Sequence, residues 1–242
     1  MSLLERRPTL RQRDMLRRSR RTSGIARRML LSCGVAAPLL YMVGHDLLAA
    51  LLYEGYSPFS QAISELSSFG APTRPAVLAL LCVYSLLTLA FGIGVRQSTQ
   101  GGRALRVAGD ILVASAVLVP VWFPFPMTSR QDMDPSVAMG LTDTMHLVLS
   151  GVTNLLMFCA IGFGSTAFGL RFRIYSILTV VVSLVFGFLM STEARGIAAG
   201  EPTPWMGVNE RIAAGAWMLW MGVLAVMLLR RTGRGPELAD AT

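Results

Sequence analysis

The chain has two histidines, His45 and His146, and both fall inside long apolar stretches beside a carboxylate. Asp46 follows His45 directly. Asp143 precedes His146 by three residues, and Ser150 and Asn154 continue the pattern at steps of four. Positions three and four apart share one face of a helix. Asp143 can hold one tautomer of His146 and leave the other ring nitrogen as a base or ligand. The same spacing also suits a polar seam that joins helices. Asp143 and His146 are the candidate acid–base pair.

Two further groups carry chemistry. Ser60, Ser64 and Glu65 occupy the segment after the first apolar stretch, and Asn209, Glu210 and Arg211 open the last one. No Gly-x-Ser-x-Gly elbow surrounds Ser64, so a nucleophilic role has little support. Capping or interfacial hydrogen bonding suits these serines better. Arg211 has the planar fork that binds a phosphate or carboxylate bidentately. Glu193 with Arg195, like Glu210 with Arg211, also reads as local ion pairs at a rim. The candidate ligand-binding set is His45, Asp46, Ser64, Glu65, Asn209, Glu210 and Arg211. Two histidines with nearby carboxylates could form a mixed nitrogen and oxygen metal site. No His-Glu-x-x-His or paired-Cys motif supports one, so no metal is assigned.

These residues must be positioned by the apolar stretches at about 29–52, 76–95, 107–124, 144–168, 173–191 and 210–229. Each is long enough to cross a hydrocarbon core, which takes about 20 helical residues. The chain is 53% hydrophobic and 15% charged, which leaves little for a soluble domain. The fold class is therefore all-α: a polytopic bundle of six transmembrane helices over 29–230. A basic tail (1–28) precedes it and a short tail (231–242) follows. Membrane burial makes ionisable groups informative, since each costs about 2.5–3.5 kcal/mol at a helix centre on insertion scales. His45 and Asp46 lie about 10 Å below the outer end of the first span.

Charge orients the bundle. All 22 basic residues are Arg, and 18 fall before the first span, in the second and fourth loops, or after the last span. Arg74, Arg130, Arg195 and Arg211 lie on the other side. The positive-inside rule predicts cytoplasmic termini in a multi-pass protein of the cell membrane. The Arg-rich tail abuts a span, so its expected partners are anionic inner-leaflet lipids rather than nucleic acid. Met15 and Met29 are alternative starts. A retained signal anchor is expected in place of a cleaved signal peptide. Cys33, Cys82 and Cys159 lie within spans and read as small buried hydrophobes.

In the first outer loop, 54–75, Phe59, Ile63 and Leu66 recur at helical spacing. Ser57 suits a cap and Pro58 the first helical position, while Gly70 and Pro72 stop the element. A short helix over 58–69 is predicted, lying in the interface with its apolar face down. The third span should kink at Pro120 and end at Pro124 and Pro126. The small-residue pairs Ala160/Gly164 and Ser165/Gly169 should permit close helix approach.

The segment Tyr56-Ser57-Pro58-Phe59-Ser60-Gln61-Ala62-Ile63-Ser64-Glu65-Leu66, followed by Gly70-Ala71-Pro72, resembles the first outer loop of the membrane family called domain of unknown function 998. Phe123-Pro124, the His146 helix and Asn209-Glu210-Arg211 are similar to that family as well. The resemblance covers about 30–230 and implies no catalytic roles. The architecture also has a distant likeness to the eukaryotic Frag1/DRAM/Sfk1 group, some of whose members act in lipid remodelling or distribution.

All the polar groups fall at one predicted level, the outer third of the bilayer. The leading expectation is an outward-facing polar cavity that binds, and in one version modifies, a polar lipid or lipid-linked head group. Arg211 would hold the anion and His146 would be the base. A small secondary transporter and a structural or accessory subunit are the alternatives. Cofactor and oligomeric state are not assigned.

Overall fold

A computed structural model describes residues 10–98, 102–133 and 139–233. The described residues form six long helices, all apolar and long enough to cross a membrane, and no strand. They are α1 (Leu10–Leu52), α2 (Arg74–Arg96), α3 (Gly102–Leu118), α4 (Leu141–Ser165), α5 (Leu170–Ala198) and α6 (Met206–Gly233). The protein is a multi-pass membrane protein. With an even number of spans, the start of α1 and the end of α6 lie at one end. The opposite end is called distal below.

The helix that carries the first span begins well before residue 28. α1 is 43 residues long and continues unbroken from Leu10. At 1.5 Å per residue it is about 64 Å, roughly twice the hydrocarbon thickness. Arg, Leu and Gln are good helix formers, so nothing in 10–28 ends the helix. Arg6 and Arg7, and the last tail residues from 234, lie outside the described residues. α1 also passes through Pro38, which membrane helices tolerate.

Packing runs in the order α5, α6, α1, α2, α3, α4, and α4 touches α5 only sparsely. The core is rich in aromatic rings and Met. Trp220, Met221 and Leu224 of α6 meet Leu31 of α1 and Phe91 of α2 in one buried cluster. Trp217 and Trp220 stack at 5.5 Å, and the Trp220 indole donates to Ser176 Oγ at 2.9 Å. Where α2 crosses α3, a Cβ on Gly109 would sit 2.6 Å from the Arg96 nitrogen, so only glycine allows that approach. Of the predicted small pairs, Gly164 lies against Trp220, whereas Gly169 caps α5 and a Cβ there would meet no side chain within 4 Å. Cys82 is exposed on the bundle surface instead of buried, and all three cysteines are free. α3 ends at Leu118 and passes into a 3-10 turn, Val119–Trp122, that carries Pro120, so the helical run stops just before Pro124.

The predicted helix over 58–69 is reduced to one turn at 57–61 and a 3-10 turn, Ser64–Ser67. Ser57 caps its start as expected, with Oγ accepting from the Ser60 N–H at 3.4 Å; the Gln61 N–H also reaches the Ser57 carbonyl, and Gln61 Oε1 accepts from the Ser57 N–H at 2.7 Å. Thereafter side chains, most of them charged, occupy the backbone groups that a helical ladder would use. Arg130 and Thr203 take the Ser60 carbonyl, and Arg211 takes that of Gln61. Glu65 accepts from the Ala62 N–H and Glu210 from that of Ile63. Gly70 closes the segment at φ +80°. Ile63 and Leu66 point inward as predicted, but Phe59 is 57% exposed on the other side.

Candidate functional site at the distal end

The first distal loop is a lid laid over the bundle and anchored by arginines. Gly207, in the first turn of α6, sets how closely it sits. A Cβ there would lie 2.4 Å from the carbonyls of Pro58 and Gln61. Lid backbone thus rests directly on the start of α6, and the Phe59 carbonyl accepts from the Val208 N–H.

Arg211, one turn further along α6, joins α1 to the lid. Its Nη2 donates to Asp46 Oδ1 at 2.7 Å and to the Tyr56 hydroxyl at 2.5 Å. Nε faces the same carboxylate at 3.0 Å, and Nη1 donates to the Gln61 and Gly207 carbonyls, both at 2.9 Å. Tyr56 in turn donates to Asp46 Oδ1 at 2.5 Å. Burial raises the Tyr56 phenol above its ordinary pKa, and the Asp46 bond adds to this. The phenol therefore stays protonated and keeps donating. A guanidinium has five N–H donors, and every one of Arg211's meets an acceptor within the chain.

A second ion pair joins the lid to the loop before α4. Arg130 grips Glu65 bidentately, with Nε to Oε2 at 2.6 Å and Nη2 to Oε1 at 2.7 Å. Bidentate geometry gives such pairs both strength and direction. The Glu65 hydrogen bonds hold the Arg130 guanidinium above its ordinary pKa. Glu65 is only 5% exposed. Arg74, at the start of α2, donates to the carbonyls of Ser67 and Phe123 and lies over the Phe69 ring. Three of the four distal arginines thus bind lid backbone or lid carboxylate, while Arg195 is exposed.

The predicted site residues divide accordingly. Asp46, Glu65, Glu210 and Arg211 converge. Ser64 is partly buried and takes part through its backbone: its carbonyl accepts from Ser67 Oγ at 3.1 Å, and its N–H faces Glu210. Asn209 donates to Glu193 Oε1 at 3.1 Å, tying α6 to α5. His45 does not line an open cavity. It is 1% exposed, with Nδ1 2.7 Å from the Tyr41 carbonyl and its ring 4.5 Å from that of Tyr41.

Asp143 and His146 bond elsewhere instead of to each other. Asp143 accepts from the Thr128 N–H and hydroxyl, both at 2.7 Å. His146 Nδ1 is 3.1 Å from the Phe125 carbonyl, and its ring stands edge-on to Trp122 at 4.9 Å. The acidic residue lies in the first turn of α4, where loop donors outcompete an imidazole one turn along. Asp143 therefore positions the loop that carries Arg130. Among the described residues, no three His, Cys, Asp or Glu side chains gather as metal ligands.

Sequence reasoning missed Tyr56, Gln61, Arg130 and Thr203 as members of this cluster. One signal was available: a side poor in arginine still carries four, and each needs a local reason to be there. Beside the cluster lies a cleft of about 300 Å³, lined by Pro58, Phe59, Val208, Ile212 and Arg211. Its surface is almost wholly apolar, and Arg211, whose guanidinium is turned onto Asp46, Tyr56 and the lid, adjoins it.

The lid, the α4 loop and the opening of α6 are the segments that carry the family-like motifs. A family model described as "Protein of unknown function (DUF998)" matches residues 35–227. The chain belongs to the DUF998 family. The match runs from within α1 to near the end of α6 of this DUF998 bundle, and it contains the complete lid with Arg74, Arg130 and Arg211. No curated protein and no solved structure matches the chain.

Proposed function

We propose that the distal end binds a polar lipid or lipid-linked head group, taken from the outer leaflet at the cleft between the lid and α6. The observation that carries this reading is the composition of the cleft. Pro58, Phe59, Val208 and Ile212 supply apolar walls, and Arg211, 12% exposed, adjoins them with its guanidinium held by Asp46 and Tyr56. Such walls suit the upper part of an acyl or prenyl chain, and a few placed polar groups fix orientation in sites of this kind. A phosphate or carboxylate would compete with Asp46 and Tyr56 for Arg211, because the donors of Arg211 are already occupied. The arginine bias supports a distal end on the outer side of the cell membrane. The basic extension of α1 then lies against anionic lipid of the inner leaflet. Separate partners for Asp143 and His146 support binding over turnover.

The saturation of Arg211 also favours a second reading, in which the cluster is a scaffold and the protein an accessory subunit. One experiment separates the two. The purified chain is placed in detergent and titrated with phosphatidylglycerol while bound lipid is counted by native mass spectrometry. Val208→Trp fills the cleft without touching the ion pairs. The binding reading expects the variant to lose at least one tightly retained lipid and to keep its Tm without lipid. Equal lipid retention by both proteins sinks it and leaves the scaffold. Lipid on the basic extension of α1 is common to both proteins and cancels.

A further inference from the structure

A polar group stands on the exposed side of α4. Asn154 is exposed and lies within roughly 2 Å of the midpoint of that helix at 1.5 Å per residue. Its Nδ2 donates one bond, to the Ser150 carbonyl at 2.9 Å. Among the described residues, its carbonyl oxygen and second amide hydrogen have no partner. Leu147 and Leu155 beside it are 58% and 62% exposed, as expected of a surface in contact with acyl chains. Hydrocarbon offers such an amide no hydrogen bond, so the half-used Asn154 needs an occupant that does.

We propose that α4 is the interface of a homodimer, in which Asn154 pairs with its own copy. Self-complementarity argues for a second copy of this chain. A carboxamide is both donor and acceptor, so two copies related by a two-fold axis satisfy each other reciprocally. An acyl chain offers neither group. Gly151, one turn away on the same side, is exposed, and a Cβ there would meet no atom of its own chain within 4 Å. A partner helix can therefore approach closely beside Asn154. The sparse contact of α4 with α5 leaves this face uncovered by the chain's own fifth helix. The interface is independent of the lipid cleft, which lies between the lid and α6.

The full chain, labelled at one terminus with donor or acceptor dye, is reconstituted in liposomes at rising protein-to-lipid ratios. Energy transfer should report self-association that saturates. Asn154→Leu, which suits a lipid environment, should weaken it by about tenfold. In a chain with Cys33, Cys82 and Cys159 replaced by Ala, Gly151→Cys should cross-link to its copy under mild oxidation. Leu184→Cys, on the exposed side of α5, should not. A wild type that stays monomeric at every ratio overturns the proposal and gives Asn154 to a different partner. Equal association of Asn154→Leu, or cross-linking at position 184 but not 151, overturns it too. The cross-linking arm stands even if the leucine variant fails to fold.

Discussion

At the scale of single residues, the distal end is governed by desolvated charge. Glu65 is nearly inaccessible, and its bond to Arg130 is what makes that burial tolerable. Removing one partner of such a pair leaves the other stranded, which typically costs about 3–5 kcal/mol. Arg130 retains some access to water, with 29% of its side chain exposed, so the lower end applies. Glu65→Ala is expected to destabilise the protein by about 3 kcal/mol, read from reversible unfolding in detergent. The double variant with Arg130→Ala should lose less than the two single losses combined, because the groups share one interaction. A single-variant loss below about 0.5 kcal/mol, the range of an ordinary surface change, would mean the pair is not holding the lid.

At the scale of elements, the lid shows how tertiary partners override local periodicity. Residues 58–69 have helical spacing, a cap and a stop, yet most of the helical ladder is missing. Arg130, Arg211, Glu65 and Glu210 compete for its N–H and carbonyl groups and win, since bonds to charged groups are stronger than neutral ones. Much of this was legible: the span positions, the inward side of Ile63 and Leu66, and the turn at Gly70. The seating of the lid on Gly207 was not, because no local rule marks a glycine that faces a loop 146 residues earlier in the chain at Gln61. Gly207→Ala should lift the lid from α6, as the added methyl would overlap two carbonyls. Hydrogen exchange of lid amides, foremost Ile63 and Ala62, is expected to rise at least tenfold while the α2–α3 pair stays protected. Unchanged lid exchange would show that the contact is not tight.

At the scale of the whole molecule, six spans and a lopsided arginine distribution predict one orientation. The eighteen arginines at the end bearing the termini should remain in the cytoplasm. Glu54→Cys, exposed just before the lid, should react with a membrane-impermeant maleimide in intact cells. Arg171→Cys, exposed in the first turn of α5, should react only after permeabilisation. Both variants use the chain with its native cysteines replaced. The opposite labelling pattern would invert the topology and move the proposed lipid site to the inner leaflet.

What the linear chain determined by itself was the bundle. Apolar runs of spanning length and the arginine asymmetry both follow from local composition, because a bilayer acts on each segment separately. It also marked Asp46, Glu65, Glu210 and Arg211 as residues needing partners. Only the tertiary structure decided which partners they found: Arg211 with Asp46 and Tyr56, Glu65 with Arg130, Asp143 with Thr128 instead of His146. Those choices depend on which helices are neighbours and how closely the lid approaches α6. That is a matter of long-range packing, and spacing along one helix cannot reveal it.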